Sequence, residues 1–333
     1  MKVLWLVLVS VCLVAPSVHA NGAFFSADGK SVIFLPRFKS GILWQLDVAS
    51  GKLKALALPK ELKGALPTGI ARGGEGETLL TAGKAAWVMK EDGTGKRLCD
   101  LGPAHEPSHL FAATAPGLPV TDWLFVTADD PADAGRQIFF ARKPGAKAFG
   151  KVFCRRVENV RAGAFTQDGR LFFAADGDLW EGSFDQEDED PAMPVATLVG
   201  ARMAPVATLN TDSANGGGMF VDALAPAGKW IYVGLRGHHM GCILRVPVAE
   251  KPLYSDAEGT FPDPQKHLEA MSATLAKTEV LVENAGSMDG FAACEVEGQP
   301  TVFYRGDNDD EGLALWLWTG QKPPRRLATE PQE

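Results

Sequence analysis

Two sets of side chains in this sequence have the types that hold cations or polar ligands. The first sits in polar loops: Arg37, Phe38 and Lys39; Asp129, Asp130 and Asp133; Arg236, His238 and His239; and the run Asp307, Asn308, Asp309, Asp310 and Glu311. Imidazoles beside carboxylates suit a divalent transition ion, and carboxylates alone suit calcium. The second set flanks apolar runs: Asn159 and Arg161, Asn215 ahead of Gly216-Gly217-Gly218, Asp222, and then Glu283, Asn284, Ser287, Met288 and Asp289. Within it Asn159, Asn215, Asp222 and Asp289 are the candidate metal ligands, because amide and carboxylate oxygens are what a hard cation takes. Signatures of other chemistries are missing: there is no GxSxG elbow, Walker loop or dinucleotide fingerprint. No catalytic residue is therefore assigned. Solvated turns have the same polar composition, so position must decide.

What positions these residues is a repeat. Phe25-Ser26-Ala27-Asp28-Gly29-Lys30-Ser31-Val32-Ile33-Phe34 runs from an apolar residue through a tight Asp-Gly turn into β-branched and aromatic residues, the pattern of a hairpin between two strands. Phe165-Thr166-Gln167-Asp168-Gly169-Arg170-Leu171-Phe172-Phe173 repeats it closely, and looser copies centre on Gly76, Asp122, Gly228 and Gly298. The steps between successive centres are 47, 46, 47, 59 and 70 residues, a period in the forties stretched twice. Each copy is followed by a second apolar strand, as in Ile42-Leu43-Trp44-Gln45-Leu46 and Asp178-Leu179-Trp180-Glu181-Gly182, and by a Gly- and Lys-rich turn into a short last strand. The expected fold is all-β, a six-bladed β-propeller of four-stranded antiparallel blades. A lone blade cannot bury both faces, so Trp44, Trp87, Phe139, Trp180 and Trp316 are expected between blades.

The sequences Phe25-Ser26-Ala27-Asp28-Gly29-Lys30 leading to Ile42-Leu43-Trp44-Gln45-Leu46-Asp47, and Phe165-Thr166-Gln167-Asp168-Gly169-Arg170 leading to Asp178-Leu179-Trp180, resemble the WD-like repeats of the TolB propeller family. The resemblance implies the fold, with varied binding roles and some hydrolase-linked relatives, and no single activity. In residue type alone, the carboxylates and amides near the axis are similar to the calcium site of the gluconolactonase-like six-bladed hydrolases.

If the strands of each blade run outward from the axis, the Asp-Gly turns lie on one face of the ring. The longer loops between second and third strands, and the links between blades, lie on the other. Binding residues concentrate on such loops. That face collects Arg37, Asp129, Asp130, Arg236, His238, His239, Asp307, Asp309 and Asp310.

Two stretches interrupt the period. The acidic run Asp185 to Asp190, within an insertion near 185–194, reads as a solvated hairpin. An insertion over 254–277 in blade five has apolar residues at Leu268, Met271 and Leu275, the spacing of a short helix on the outside of the ring.

Residues 1–20, with Lys2, an apolar run and the ending Val18-His19-Ala20, read as a secretory signal peptide, leaving one propeller domain over 21–333. Its removal takes one lysine and no acid, leaving 32 basic against 41 acidic side chains, a net charge of -9. An acidic chain without a basic block is a poor partner for nucleic acid. Cys99, Cys154, Cys242 and Cys294 remain, either as bridges or as buried thiols. The sequence thus describes an exported chain, periplasmic or extracellular, with no transmembrane anchor after cleavage. Its loop-rich face is expected to bind a protein or a glycan. The rival is a calcium-dependent lactonase or esterase with an axial metal site. No cofactor is required by the first reading, and calcium is the one admitted by the second.

Overall fold

The computed structural model describes residues 22–36, 42–62, 64–74, 76–104, 107, 109–112, 123–142, 145–151, 160–166, 168–175, 178–182, 203–208, 220–237, 241–250, 264–296, 298–308, 312–320 and 323–329. They form six antiparallel sheets of four strands, each built from one contiguous stretch of chain. Blade one is β1 Ala23–Phe25, β2 Ser31–Phe34, β3 Leu43–Asp47 and β4 Leu53–Leu56; blade two is β5 Pro67–Arg72, β6 Glu77–Ala82, β7 Ala85–Lys90 and β8 Gly95–Asp100. Blade three is β9 His109–Ala112, β10 Leu124–Asp130, β11 Asp133–Arg142 and β12 Gly150–Lys151; blade four is β13 Val160–Phe165, β14 Leu171–Ala175, β15 Asp178–Gly182 and β16 Met203–Thr208. Blade five is β17 Phe220–Ala227, β18 Trp230–Arg236, β19 Gly241–Pro247 and β20 Glu279–Val282; blade six is β21 Ser287–Val296, β22 Gln299–Asn308, β23 Gly312–Thr319 and β24 Arg325–Thr329.

The repeated turn earns its recurrence through local chemistry. In blade one the Ser26 carbonyl accepts from the Gly29 amide at 3.0 Å, and the Ser26 hydroxyl donates to Asp28 at 2.7 Å. Blade four repeats both contacts with Thr166, Gly169 and Asp168. Gly29 and Gly169 have φ of 68° and 88°, the left-handed region that a side chain disfavours.

Six cores, one at each seam between blades, hold the ring. Leu35 and Leu43 meet Ile70 and Leu80 between blades one and two; Leu79 and Ala86 meet Leu124 and Phe140 between two and three; Phe125 and Phe139 meet Phe165 and Phe173 between three and four. Phe172 and Leu179 meet Val233 and Leu244 between four and five, and Tyr232 and Ile243 meet Phe291 and Tyr304 between five and six. Phe25 and Phe34 meet Phe303 and Leu315 to close the circle. Trp44, Trp87, Trp180 and Trp316 lie half-buried against these seams, and Phe139 is fully buried, as the repeat requires. Among the described residues no strand is exchanged between the first and last blades; that last core closes the ring together with contacts to the backbone such as that of Arg305, whose Nη1 donates to the Leu35 carbonyl at 2.7 Å.

The expected helix is present as α1, Pro264–Ala276, between the third and fourth strands of blade five, lying on the outside against β16 and β19. Its buried face differs from the expected one. Leu268 and Leu275 are 56% and 48% exposed, whereas Thr274 is buried and donates to the Ala270 carbonyl at 2.9 Å. The helix docks along His267, Ala270, Met271 and Thr274, a stripe that keeps Met271 but replaces Leu268 and Leu275 by residues one position back, with Ala270 and Thr274 small enough to let it lie close to the sheet. Of the cysteines, Cys99, Cys242 and Cys294 are free thiols, and burial pushes them up to about 11, 11 and 12. Cys154, residues 1–20 and the acidic run at Asp185 to Asp190 lie outside the described residues. Among the described residues no helix is long and apolar enough to cross a membrane.

Candidate functional site

The inner strand of each blade has an edge toward the axis that no strand pairs with, so its backbone groups need other partners. Four inner strands also carry an extra residue toward the end away from the Asp-Gly turn. Pairing with the second strand slips between Pro67 and Gly69 in β5, Val160 and Ala162 in β13, Val221 and Ala223 in β17, and Met288 and Gly290 in β21. The extra residues are Thr68, Arg161, Asp222 and Asp289, all polar. Each sits near the start of its strand, away from the Asp-Gly turn, so the four share one rim at one end of the axis. A bulge bends its strand and re-aims the local side chain, which is how a regular sheet makes a site.

The rim is braced from behind. Asp222 Oδ2 stands 3.5 Å from Arg236 Nε, with the carboxylate side chain 8% exposed. The Thr68 and Thr81 hydroxyls are 3.0 Å apart. On blade four, the carbonyls on the axial edge are taken by blade three: Thr127 donates to Arg161 O at 3.2 Å, and His109 Nε2 lies 2.7 Å from Gly163 O. A carbonyl only accepts, so Nε2 carries the proton, and the buried Nδ1 is left with a lone pair that has no partner among the described residues. Burial holds the imidazole well below its usual range, at about 4, against the opposing pull of the Gly163 carbonyl and the Asp222 carboxylate. Gly163 is glycine because Phe111 lies over it: a Cβ there would stand 2.6 Å from the ring edge.

Two residues read separately from the sequence, Arg236 among loop residues and Asp222 among metal ligands, are thus brought into one ion pair. Asp289 joins the same rim by register. Asp129 is exposed at the end of β10, and Asp130 is buried with Oδ1 accepting from the Ala132 amide at 3.0 Å, a contact within its own turn. Asp307 lies in β22 opposite Ser287, on the same face of the ring. Met288 is core: its Cε occupies the place a Cβ on Gly234 would need. Arg37, Phe38, Lys39, Asn159, Asn215, Gly216-Gly217-Gly218, His238, His239, Asp309, Asp310 and Glu311 lie outside the described residues.

Sequence reasoning missed His109 and Thr127. Thr127 signals itself as a polar residue inside an otherwise apolar strand. His109 closes the string His105-Glu106-Pro107-Ser108-His109, which has the letters of a zinc-binding HExxH motif. That motif needs a helix, whereas His109 opens strand β9 and turns its Nε2 to the Gly163 carbonyl. As for a metal, among the described residues no three His, Cys, Asp or Glu side chains gather to hold one. A carboxylate already matched by a guanidinium is a poor calcium ligand, so the described donors do not fit that ion as they stand.

Six blades closed by six seams, with a polar rim on the axis, define a six-bladed β-propeller. No protein-family model matches the sequence, and no curated protein does. Among solved structures, the calcium-binding protein regucalcin from Agrobacterium tumefaciens is similar at 14% identity and a TM-score of 0.56, over 91% of this chain and 92% of its own. A gluconolactonase from Xanthomonas campestris is similar at 12% identity and a TM-score of 0.52, over 89% of this chain and 84% of its own. At such identities the likeness is one of fold.

Proposed function

We propose that the protein is an exported binding or scaffold module that engages a protein or a glycan at the axial rim and the loops around it. The observation that carries this reading is the set of bulges at Thr68, Arg161, Asp222 and Asp289, each near the start of its inner strand on the same face of the ring, together with the Asp222–Arg236 pair. A rim of mixed charge, braced by hydrogen bonds behind it, recognises a polar partner without a metal. The TolB-like pattern of blades one and four supports the same role. The test is capture of partners from the exported fraction by the purified protein, with and without cross-linking, compared with an Arg161→Ala, Asp222→Asn double variant. The reading expects a partner retained by the wild type and lost from the variant. Retention by both, or by neither, counts against it.

A second reading is favoured by one observation, the acidic residues Asp222 and Asp289 at the bulges of β17 and β21 in a fold similar to regucalcin and a gluconolactonase. It is a calcium-dependent lactonase or esterase. Asp222 would have to leave Arg236 to serve it. Calorimetric titration with calcium separates the two: saturable binding lost in Asp222→Asn, with chelator-sensitive lactone hydrolysis, selects the hydrolase, and the absence of both selects the binding module.

A further inference from the structure

Among the described residues, the outermost strands of three consecutive blades are richer in exposed cations than the outermost strands of the other three. Exposed cations lie on or beside each: Arg325 and Arg326 on β24 of blade six, Lys52 and Lys54 at β4 of blade one, and Lys96 and Arg97 on β8 of blade two. One carboxylate lies on these three strands, Asp100, which pairs with Arg97. The outer strands of the other three blades, β12, β16 and β20, carry one lysine and one glutamate in all. This concentration stands out in a chain with 33 basic and 41 acidic residues.

The three strands are laterally continuous. Arg325 Nη2 donates to Val48 O of blade one at 3.0 Å, and a Cβ on Gly51 would stand 3.0 Å from Leu327 O, so β24 and the last turn of blade one touch. The chain leaving β4 then covers β8, with Pro59 Cγ 2.3 Å from where a Cβ on Gly95 would be. Six cations therefore line one arc of the outer wall. Of the nearby carboxylates, Asp47 and Asp92 sit in the turns at its rim, where their own Ser50 and Thr94 hydroxyls hold them, and Glu61 and Glu91 are exposed on the segment leaving β4 and in the turn before β8.

Shape narrows the partner. Three blades of six span half the circumference, so the arc is convex and a flat anionic surface meets only part of it. A flexible polyanion can follow all of it. Exposed lysines on edge strands oppose the addition of another strand, which disfavours an extended peptide pairing with the edge. Sulfate or carboxylate groups on a sugar chain reach the side-chain tips without needing the backbone. We propose that the outer wall of blades six, one and two is a docking surface for a polyanionic glycan. It is separate from the axial rim and independent of what binds there.

The test uses the full mature protein and a fluorescent heparin dodecasaccharide, with poly-L-glutamate and anionic vesicles as competitors. Binding is expected to weaken at least about tenfold between about 50 and about 200 mM salt, since exposed charges are screened. The triple variant Lys54→Glu, Lys96→Glu, Arg326→Glu is expected to lose at least about tenfold in affinity. A variant with the same net charge, Lys229→Glu, Lys266→Glu, Lys277→Glu on blade five, is expected to lose less than about threefold. Circular dichroism confirms that both fold; if the first triple unfolds, the single Lys54→Glu and Arg326→Glu variants each expect about a twofold loss instead. No heparin binding, equal losses in both triples, or stronger competition by poly-L-glutamate or by vesicles each overturns the proposal.

Discussion

Arg236 Nε stands 3.5 Å from Asp222 Oδ2, joining the end of the second strand of blade five to the bulge of its first. The pair neutralises a carboxylate that is 8% exposed at the axial rim. Removing the guanidinium leaves that charge without its partner, whereas removing both leaves neither. Arg236→Gln is expected to lower stability by about 1–3 kcal/mol, discounted for the partial exposure of the arginine. The Asp222→Asn, Arg236→Gln double variant should recover part of this. Urea unfolding of all four members of the cycle checks it, and additive losses would mean that the pair is not coupled.

His109 sets an acid limit on the fold. Its imidazole titrates near 4 when folded, against an ordinary value of 6.5. Between those values the unfolded chain binds a proton that the folded one refuses, so stability is full above about pH 6.5 and falls as pH drops toward about 4, by about 3 kcal/mol in all. Asp28, Asp47 and Asp92 are held below the usual 3.8 by hydrogen bonds within their turns, and their losses belong to the acid side of that value. His109→Gln keeps a donor for the Gly163 carbonyl and should flatten the slope between pH 6.5 and pH 4.5. Denaturant midpoints at these two pH values decide it, and an unchanged slope would assign the loss elsewhere.

Blades four and five are locked by Arg170, whose Nε donates to Glu181 at 2.6 Å and whose Nη1 donates to the Ala249 carbonyl at 2.6 Å. Both side chains are buried. Glu181→Ala strands the guanidinium and is expected to cost about 3–5 kcal/mol, while an apolar pair, Arg170→Met with Glu181→Leu, should recover most of it. Thermal unfolding of the three proteins reads the difference. A cost under about 1 kcal/mol would show that water reaches the pair.

Helix α1 offers a test of its own orientation. Leu268→Gln and Leu275→Gln are expected to change stability by less than about 0.5 kcal/mol, because both leucines face solvent. Thr274→Lys, on the buried face, should cost about 2 kcal/mol or more. The reverse ranking would restore the 268, 271 and 275 stripe as the docking face.

The ring was legible because its signals are local. A tight turn such as Ser26 to Ser31 needs its glycine and hydroxyl within a few residues, and the period of those turns counts the blades. The helix was legible as an element but not in its orientation, since periodicity weighs apolarity while docking onto a sheet also rewards small residues such as Ala270. Arg161, Asp222 and Asp289 were placed at the axis by counting strands, and their common level follows from bulges that no composition announces. His109 and the basic arc were hidden for another reason. Lys54, Lys96 and Arg326 are far apart in the chain, and only the closing of the ring puts their strands side by side.

The central claim is that a partner meets the axial rim, and site-specific photo-cross-linking tests it most directly. A benzophenone amino acid replaces Asp129 or Asn284, both exposed on the rim face, or Lys277 on the outer wall of blade five, and the exported fraction is irradiated with each. The expected result is one cross-linked species common to the two rim positions and absent from Lys277. The same species from all three positions, or none from the rim, would contradict the account.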